Sequence, residues 1–258
     1  MSVPLPLSVL LLARDEEARL AALLPQLAFA REVVVVVDAA TRDRTREVAA
    51  AHGARVAERA LEDFGRQRQF GLEECSHDWV LWVDADERLD PAAVRAIARV
   101  VESGAASGPA AYRLERRTWF LGRRIRFCGW RGERVLRLFR RTLSHFDSAP
   151  VHEQVTVRGT VGDLPGVIEH HSYESWRDCR EKLFLYSERG AAKARSAGRR
   201  AAPWDVAVRP PLRFFRMYVL QLGFLDGGHG VAVCALAASQ VLLKYMALWA
   251  NPDGERGG

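Results

Sequence analysis

The chain has 258 residues, 48% of them hydrophobic and 27% charged, with a net charge of +6. That apolar content excludes disorder as the main state, and the length suits one domain with an appendage. The basic excess is arginine, whose planar permanent charge suits phosphates and carboxylates, so charge alone admits nucleic acid, anionic lipid and phosphorylated substrates.

Residues 5–13 form an apolar run with no basic segment before it, which reads as a buried strand and not as a signal peptide. Helical periodicity follows over residues 16–29, with Asp15 as its cap. Five consecutive valines at 33–37 suit a strand buried on both faces of a parallel sheet. Thr41 or Asp43 can cap a helix that stops at His52-Gly53. Residues 54–57 then read as a strand, 66–75 as a helix, and 79–83 as a strand ending at Asp84. Asp90-Pro91 opens a helix that stops at Gly104. Such alternation predicts an α/β fold with a mostly parallel sheet, whose ligands sit beyond the carboxyl ends of the strands. Asp38 and Asp84 both lie at such ends.

Beyond residue 111 the pattern changes to strands at 112–117, 135–140 and 151–157, a mixed extension of the same sheet. The last third is helical: an amphipathic helix at 176–197, a proline-punctuated break from 203 to 211, and an apolar helix at 231–249. That last segment approaches the ~20 residues of a membrane span, but Ser239, Gln240 and Lys244 give it a polar stripe. Arg209, Arg213 and Arg216 share a face and interleave with Phe214, Phe215, Met217 and Tyr218, the pattern of a helix lying in a lipid headgroup layer. The expected organisation is a catalytic domain over 1–175 and a helical region over 176–258 in peripheral contact with a membrane. Cys75, Cys128, Cys179 and Cys234 show no metal or redox spacing, which predicts reduced thiols in a cytosolic compartment.

The strongest chemical signal is Leu81-Trp82-Val83-Asp84-Ala85-Asp86-Glu87. Two carboxylates separated by one small residue, just past a buried strand, can serve one hard cation such as Mg²⁺ or Mn²⁺ together with substrate phosphates. Asp38 is delivered to the same edge, where it could bind a base or ribose or cap the next helix. No glycine-rich loop follows the first strand, so dehydrogenases and P-loop enzymes drop out. Arginine is dense from Arg113 to Arg141; Arg137 and Arg140 or Arg141 could aim at a diphosphate, while the interleaved Trp119, Phe120, Phe127 and Trp130 keep RNA binding as a rival. His152-Glu153 could supply a general base. His170 or His171 could complete a metal shell or simply pack.

Taken together, Arg14-Asp15-Glu16-Glu17, Val36-Val37-Asp38, Asp43-Arg44-Thr45 and Asp84-Ala85-Asp86-Glu87-Arg88 resemble family 2 glycosyltransferases of the GT-A fold. The later runs Phe120-Leu121-Gly122-Arg123, Leu136-Arg137-Leu138-Phe139-Arg140-Arg141, Pro150-Val151-His152-Glu153, His170-His171-Ser172-Tyr173 and Gly223-Phe224-Leu225-Asp226-Gly227 look like the bacterial lipopolysaccharide core group. The resemblance implies inverting transfer from a UDP-sugar to a hydroxyl of a lipid-linked saccharide, at the cytoplasmic face of the inner membrane, with no nucleic acid partner. It implies that Arg14, Glu16, Asp38, Arg68, Asp84, Arg137 and Arg140 bind the nucleotide sugar. Asp86, with Asp84 and His170, would hold the metal; Glu153 would be the base, with His152 or Glu87 as alternatives. Ala39 and Ala40 replace serines of many relatives, and Asp15 replaces an asparagine. Two rivals carry weight: a polyprenyl-phosphate sugar transferase of the same fold, and a basic RNA- or membrane-binding module without catalysis.

Overall fold

A computed structural model describes residues 3–61, 63–104, 108–147 and 155–251. The strands are β1 (Leu5–Ala13), β2 (Ala30–Asp38), β3 (Arg55–Arg59), β4 (Trp79–Trp82), β5 (Glu87–Leu89), β6 (Ala111–Phe120), β7 (Arg123–Arg124), β8 (Arg134–Arg140), β9 (Ser144–Phe146), β10 (Val155–Val157) and β11 (Val161–Tyr173). The helices are α1 (Glu17–Leu23), α2 (Thr45–Ala51), α3 (Phe64–Glu74), α4 (Pro91–Ser103), α5 (Trp176–Ser196), α6 (Pro203–Phe215) and α7 (Gly227–Ala250).

Nine strands form one sheet in the order β3-β2-β1-β4-β8-β6-β11-β5, with β7 paired to β6. The pairs β1–β2, β1–β4 and β2–β3 are parallel. Beyond β4 the pairs β4–β8, β6–β8 and β5–β11 are antiparallel. This is the expected α/β fold with a mixed extension. The strand order reverses at β1, whose successors β2 and β4 lie on opposite sides of it, and a crevice opens at such a point.

The valine run works as its composition predicts. Val34, Val35, Val36 and Val37 are all fully buried, and the period of two sends them to opposite faces. Val35 and Val37 join Val9, Leu11, Leu20 and Ile97 on one face; Val34 and Val36 join Leu10, Leu72, Val80 and Phe139 on the other. Burial of each such side chain contributes about 1.5–3 kcal/mol. Helix α3 lies close to the second face through Gly71, where an added Cβ would stand 2.5 Å from Leu10 Cδ1 and 2.7 Å from Val36 Cγ2.

Several local expectations are revised. Helix α1 stops at Leu23 and passes into a 3₁₀ turn at Leu24–Leu27, because Pro25 cannot continue the α-helical hydrogen bonds. Asp15 is not its cap but takes a left-handed φ of 53°. The α1 start is held from a distance instead: Glu17 N–H donates to Asp43 Oδ2 at 3.0 Å and Glu16 N–H to Thr45 Oγ1 at 2.8 Å. The segment from Pro203 is not a break but a helix running through Pro210 and Pro211. Pro203 occupies the first turn, where its missing N–H costs nothing, and Ala202 N–H donates to Asp205 at 2.9 Å. Pro210 and Pro211 cannot donate to the preceding turn, yet the helix continues, widening into a π-helical turn at Arg216–Leu220. Of the strand expected at 151–157, residues 151–154 lie outside the described residues, and 155–157 are β10.

The chain divides into two compact units: residues 1–116 with 133–170, and residues 117–132 with 171–258. The second unit resumes at residue 171 and also takes in residues 117–132. Within that unit Phe120, Ile125, Cys128, Cys179, Met217, Val233 and Cys234 form a core. All four cysteines are buried free thiols.

Candidate active site

Three acids stand at the carboxyl ends of the parallel strands. Asp38 closes β2 and is buried; its Oδ1 accepts from Ala40 N–H at 3.1 Å and Leu61 N–H at 3.2 Å. Its Oδ2 is buried without a hydrogen bond, although Arg14 Nη1 stands 3.2 Å away as an ion pair. Two N–H donors already hold one oxygen, so the other is presented to whatever enters beside Arg14.

Past β4 the chain turns sharply, with Glu87 N–H donating to Asp84 O at 3.0 Å and Asp84 N–H donating to Glu87 Oε2 at 3.1 Å. The turn hands the chain to β5, whose register with β11 places Glu87 opposite His170. Asp86, one residue earlier, comes to 3.4 Å between its Oδ2 and His170 Nε2. The remaining ring nitrogen, His170 Nδ1, is buried without a hydrogen bond. The middle of β11 is fixed by Asp90, whose Oδ1 accepts from both Ala93 N–H (2.7 Å) at the α4 start and Val167 N–H (3.0 Å).

Beneath the acids sits a cation–indole stack. Arg137 Nη2 donates to Asp84 Oδ2 at 2.8 Å and to Glu87 Oε1 at 2.7 Å. Its guanidinium carbon lies 4.1 Å from the Trp82 ring centroid, and that of Arg68 lies 4.3 Å from the same ring. Trp82 Nε1–H donates to Asp84 Oδ1 at 3.2 Å, so both Asp84 oxygens are held. Burial pushes the Glu87 carboxyl above the usual glutamate range, with Arg137 opposing the rise and Asp84 adding to it. Burial works against the Arg137 charge, but Glu87 and Asp84 together keep that guanidinium above its ordinary value. Cation–π contact with Trp82 adds to the pair.

The placement sorts the expected residues. Asp38 and Arg14 meet at the end of β2, while Asp84, Asp86, His170, Arg137 and Arg68 gather around the β4–β5 turn. Glu16 is engaged locally, paired with Arg19 at 3.1 Å. Arg137 does not aim at a diphosphate as expected, because Asp84 and Glu87 occupy it in the interior. Arg140 sits at the other end of β4, opposite Trp79 in the register, and pairs with Asp78 at 2.8 Å. The four residues of β4, at about 3.3 Å each, and Val83 beyond them separate that end from Asp84, so Arg140 is not part of the cluster. Glu87, fully buried and paired, cannot meet an acceptor hydroxyl. His152 and Glu153 lie outside the described residues. The Trp82 platform went unnoticed in the sequence, although Trp82 and Asp84 are two apart and so share a strand face.

A divalent cation fits the donor set in part. Among the described residues no three His, Cys, Asp or Glu side chains are gathered for a metal. The pair Asp86 and His170 offers one oxygen and one nitrogen, which suits Mg²⁺ or Mn²⁺ only with the remaining positions filled by phosphate and water.

The family model described as glycosyl transferase family 2 matches residues 8–155. The lipopolysaccharide core biosynthesis glycosyltransferase LpsC of Rhizobium meliloti is 28% identical over 263 residues, covering 96% of each chain. An uncharacterized glycosyltransferase of Rickettsia typhi is 24% identical, over 87% of this chain and 80% of its own. Among solved structures, S. aureus TarS aligns with a TM-score of 0.46 and 16% identity, over 71% of this chain and 39% of that one. The glucosyl-3-phosphoglycerate synthase of Mycobacterium tuberculosis, solved with Mn²⁺, UDP and glucosyl-3-phosphoglycerate, aligns with a TM-score of 0.37 and 20% identity, over 53% of this chain and 57% of that one. The matched family segment covers more than half of the sequence and contains Asp38, Asp84, Asp86 and the strands that present them: the chain belongs to glycosyl transferase family 2.

Proposed function

We propose that this glycosyltransferase moves a hexose, glucose or a similar sugar, from a UDP-sugar to a hydroxyl of a lipid-linked saccharide such as lipopolysaccharide core, inverting the anomeric carbon. One observation carries the reading: Asp38, Asp84 and Asp86 sit at the carboxyl ends of parallel strands on either side of β1, where the strand order reverses, with Asp86 facing His170. The whole-length similarity to the lipopolysaccharide core enzyme supports the acceptor class.

In this reading the buried, unbonded Asp38 Oδ2 accepts a hydrogen bond from the base or ribose, beside its ion pair with Arg14. Asp84 meets the ribose side of the donor while Trp82 and Arg137 fix its rotamer. Asp86 and His170 would hold Mg²⁺ or Mn²⁺, which when bound supplies positive charge beside a diphosphate. Arg68, stacked on Trp82, adds a preorganised cation, and such groups often supply the largest catalytic contribution. Glu153 would take the acceptor proton, with His152 as its alternative, in a displacement through an oxocarbenium-like state.

The membrane contact belongs to the same proposal. Trp204, Val208, Leu212, Phe215 and Val219 recur at helical spacing along α6 and its π-helical extension, and all are exposed. Exposed Arg209, Arg213 and Arg216 accompany them. An apolar stripe with cations beside it complements an anionic lipid surface, and supports a location at the cytoplasmic face of the inner membrane. Gly223–Ala250 is long and apolar enough to cross a membrane by length and composition; α7 instead packs along α5 and α6, which supports surface association.

The test is a screen of UDP- and GDP-sugars for hydrolysis or transfer with Mg²⁺ or Mn²⁺. A UDP-sugar consumed only with metal present supports the proposal, and polyprenyl phosphate serving as acceptor in place of a saccharide would displace it.

A further inference from the structure

Three helices of the second unit meet at one end. Helices α5 and α7 run parallel: Ser187 Oγ stands 3.2 Å from Gln240 O, and an added Cβ at Gly190 would stand 3.2 Å from Lys244 Cδ. Helix α6 runs the other way, with Arg209 against Tyr245 and Met217, in the turn that follows, sharing a core with Val233. The C-terminal ends of α5 and α7 therefore meet the start of α6, around a small core of Ala191, Ala194 and Leu248.

Lys244 is the group at this end that the fold leaves uncompensated. It is half-buried, and among the described residues no carboxylate stands within ion-pair distance of it. Burial, and then Arg199, Arg209 and Lys193, hold its ammonium below the ordinary lysine value. The acid one turn before Arg209 is engaged: Asp205 accepts from Ala202 N–H at 2.9 Å and from Arg209 Nε. Tyr245 serves two cations at once, with Arg209 Cζ at 4.9 Å and Lys244 Nζ at 5.3 Å from its ring centroid, which offsets only part of the cost.

Helix dipoles do not supply the missing charge. Lys193 lies in the last turn of α5, where free carbonyls favour it, but Lys244 sits more than a turn before the end of α7. The start of α6 adds positive potential of its own. A cation partly withdrawn from water among like charges is unfavourable until an anion joins them. Arg209 can share that anion, because only its Nε is bonded to Asp205 and its Nη groups remain as donors.

The surroundings say which anion fits. Trp204 at the start of α6 and Trp249 near the end of α7 are 69% and 56% exposed, with Met246 exposed beside them. Exposed indoles next to lysine and arginine mark the depth of lipid headgroups, and a small soluble anion would need none of them.

We propose that this end of the helical unit holds the phosphate of an anionic phospholipid headgroup. Lys244 and Arg209 are its inner donors, Lys193 and Arg199 stand at the rim, and Trp204 and Trp249 lie in the surrounding headgroup layer. The site rests on the membrane contact proposed above and adds to it a discrete headgroup position apart from Leu212 and Phe215.

Sedimentation of the full chain with vesicles containing phosphatidylglycerol, set against phosphatidylcholine alone, tests the site. Lys244→Gln/Arg199→Gln should weaken binding to the anionic vesicles about tenfold or more. Arg95→Gln/Arg99→Gln, which removes the same charge from exposed positions of α4, should leave that binding within about twofold. Lys193→Gln/Arg199→Gln changes exposed positions only and should weaken binding about threefold or more without touching the fold. UDP affinity with Mn²⁺ should stay within about twofold in all three variants. Binding that survives in both variants of the helical unit, or falls equally in the α4 variant, would overturn the site and leave the membrane contact standing. Wild-type protein that sediments with neither vesicle would remove the membrane contact itself, and this site's lipid with it.

Discussion

Arg137 is a cation fixed in the interior by two carboxylates and one indole. Removing it leaves Glu87 buried and uncompensated, so Arg137→Met should destabilise the fold by about 3–5 kcal/mol in urea unfolding. The double variant Arg137→Met/Glu87→Leu should recover much of that loss, since it removes both buried charges. Arg140, three residues further along β8 and on its opposite face, has a different fate. It pairs with a partly exposed Asp78, and Arg140→Ala should leave sugar transfer within about twofold and stability within about 1 kcal/mol. The sequence made Asp38, Asp84 and Asp86 legible because each acid follows an apolar run that can only be a buried strand. It could not separate Arg137 from Arg140, three residues apart on one strand, because what distinguishes them is which end of β4 each faces. That depends on antiparallel register, which no local pattern states.

Among the elements, the parallel half was readable because β1, β2 and β4 are short apolar runs punctuated by caps and glycines. Helix α4 shows the effect most clearly, with Asp90 as cap, Pro91 in the first turn and left-handed Gly104 at the stop. Strands β5, β7 and β11 were missed: β5 and β7 are two or three residues long, and β11 is polar at many positions. The first part of helix α6 reads as a break because three prolines outweigh its apolar spacing, although its basic and aromatic end reads as helix. Glycine positions give a graded test. Gly166 has φ of 101°, and an added Cβ would stand 2.2 Å from Ala93 N, whereas Gly53 has φ of 76° with nothing within 4 Å. Gly53→Ala should cost about 1–2 kcal/mol from left-handed strain alone. Gly166→Ala should cost about 1–3 kcal/mol more, because the collision forces β11 away from the α4 start. Thermal unfolding of the two variants side by side measures the difference.

At the scale of the whole molecule, the basic charge and the apolar C-terminal third read correctly as features needing an explanation, but composition did not say which helix would be exposed. The exposed stripe lies on α6 and its extension, while most of α7 is at least half-buried. Vesicle sedimentation should therefore show binding to phosphatidylglycerol-containing bilayers and weak binding to phosphatidylcholine alone. Leu212→Ser/Phe215→Ser should reduce that binding about tenfold or more, from lost apolar burial. Binding unchanged by the pair would place the contact elsewhere.

The central claim, a metal and a sugar nucleotide gripped at the β4–β5 turn, is tested most directly by Asp86→Asn. Asn matches Asp in size and shape, and Asp86 is only partly exposed beside His170, so stability in urea should stay within about 1 kcal/mol of the wild type. Metal-dependent UDP affinity should disappear, and UDP-sugar turnover should fall by about 10²–10³-fold. An Asp86→Asn protein that binds UDP with Mn²⁺ normally and transfers sugar at near wild-type rate would contradict the account.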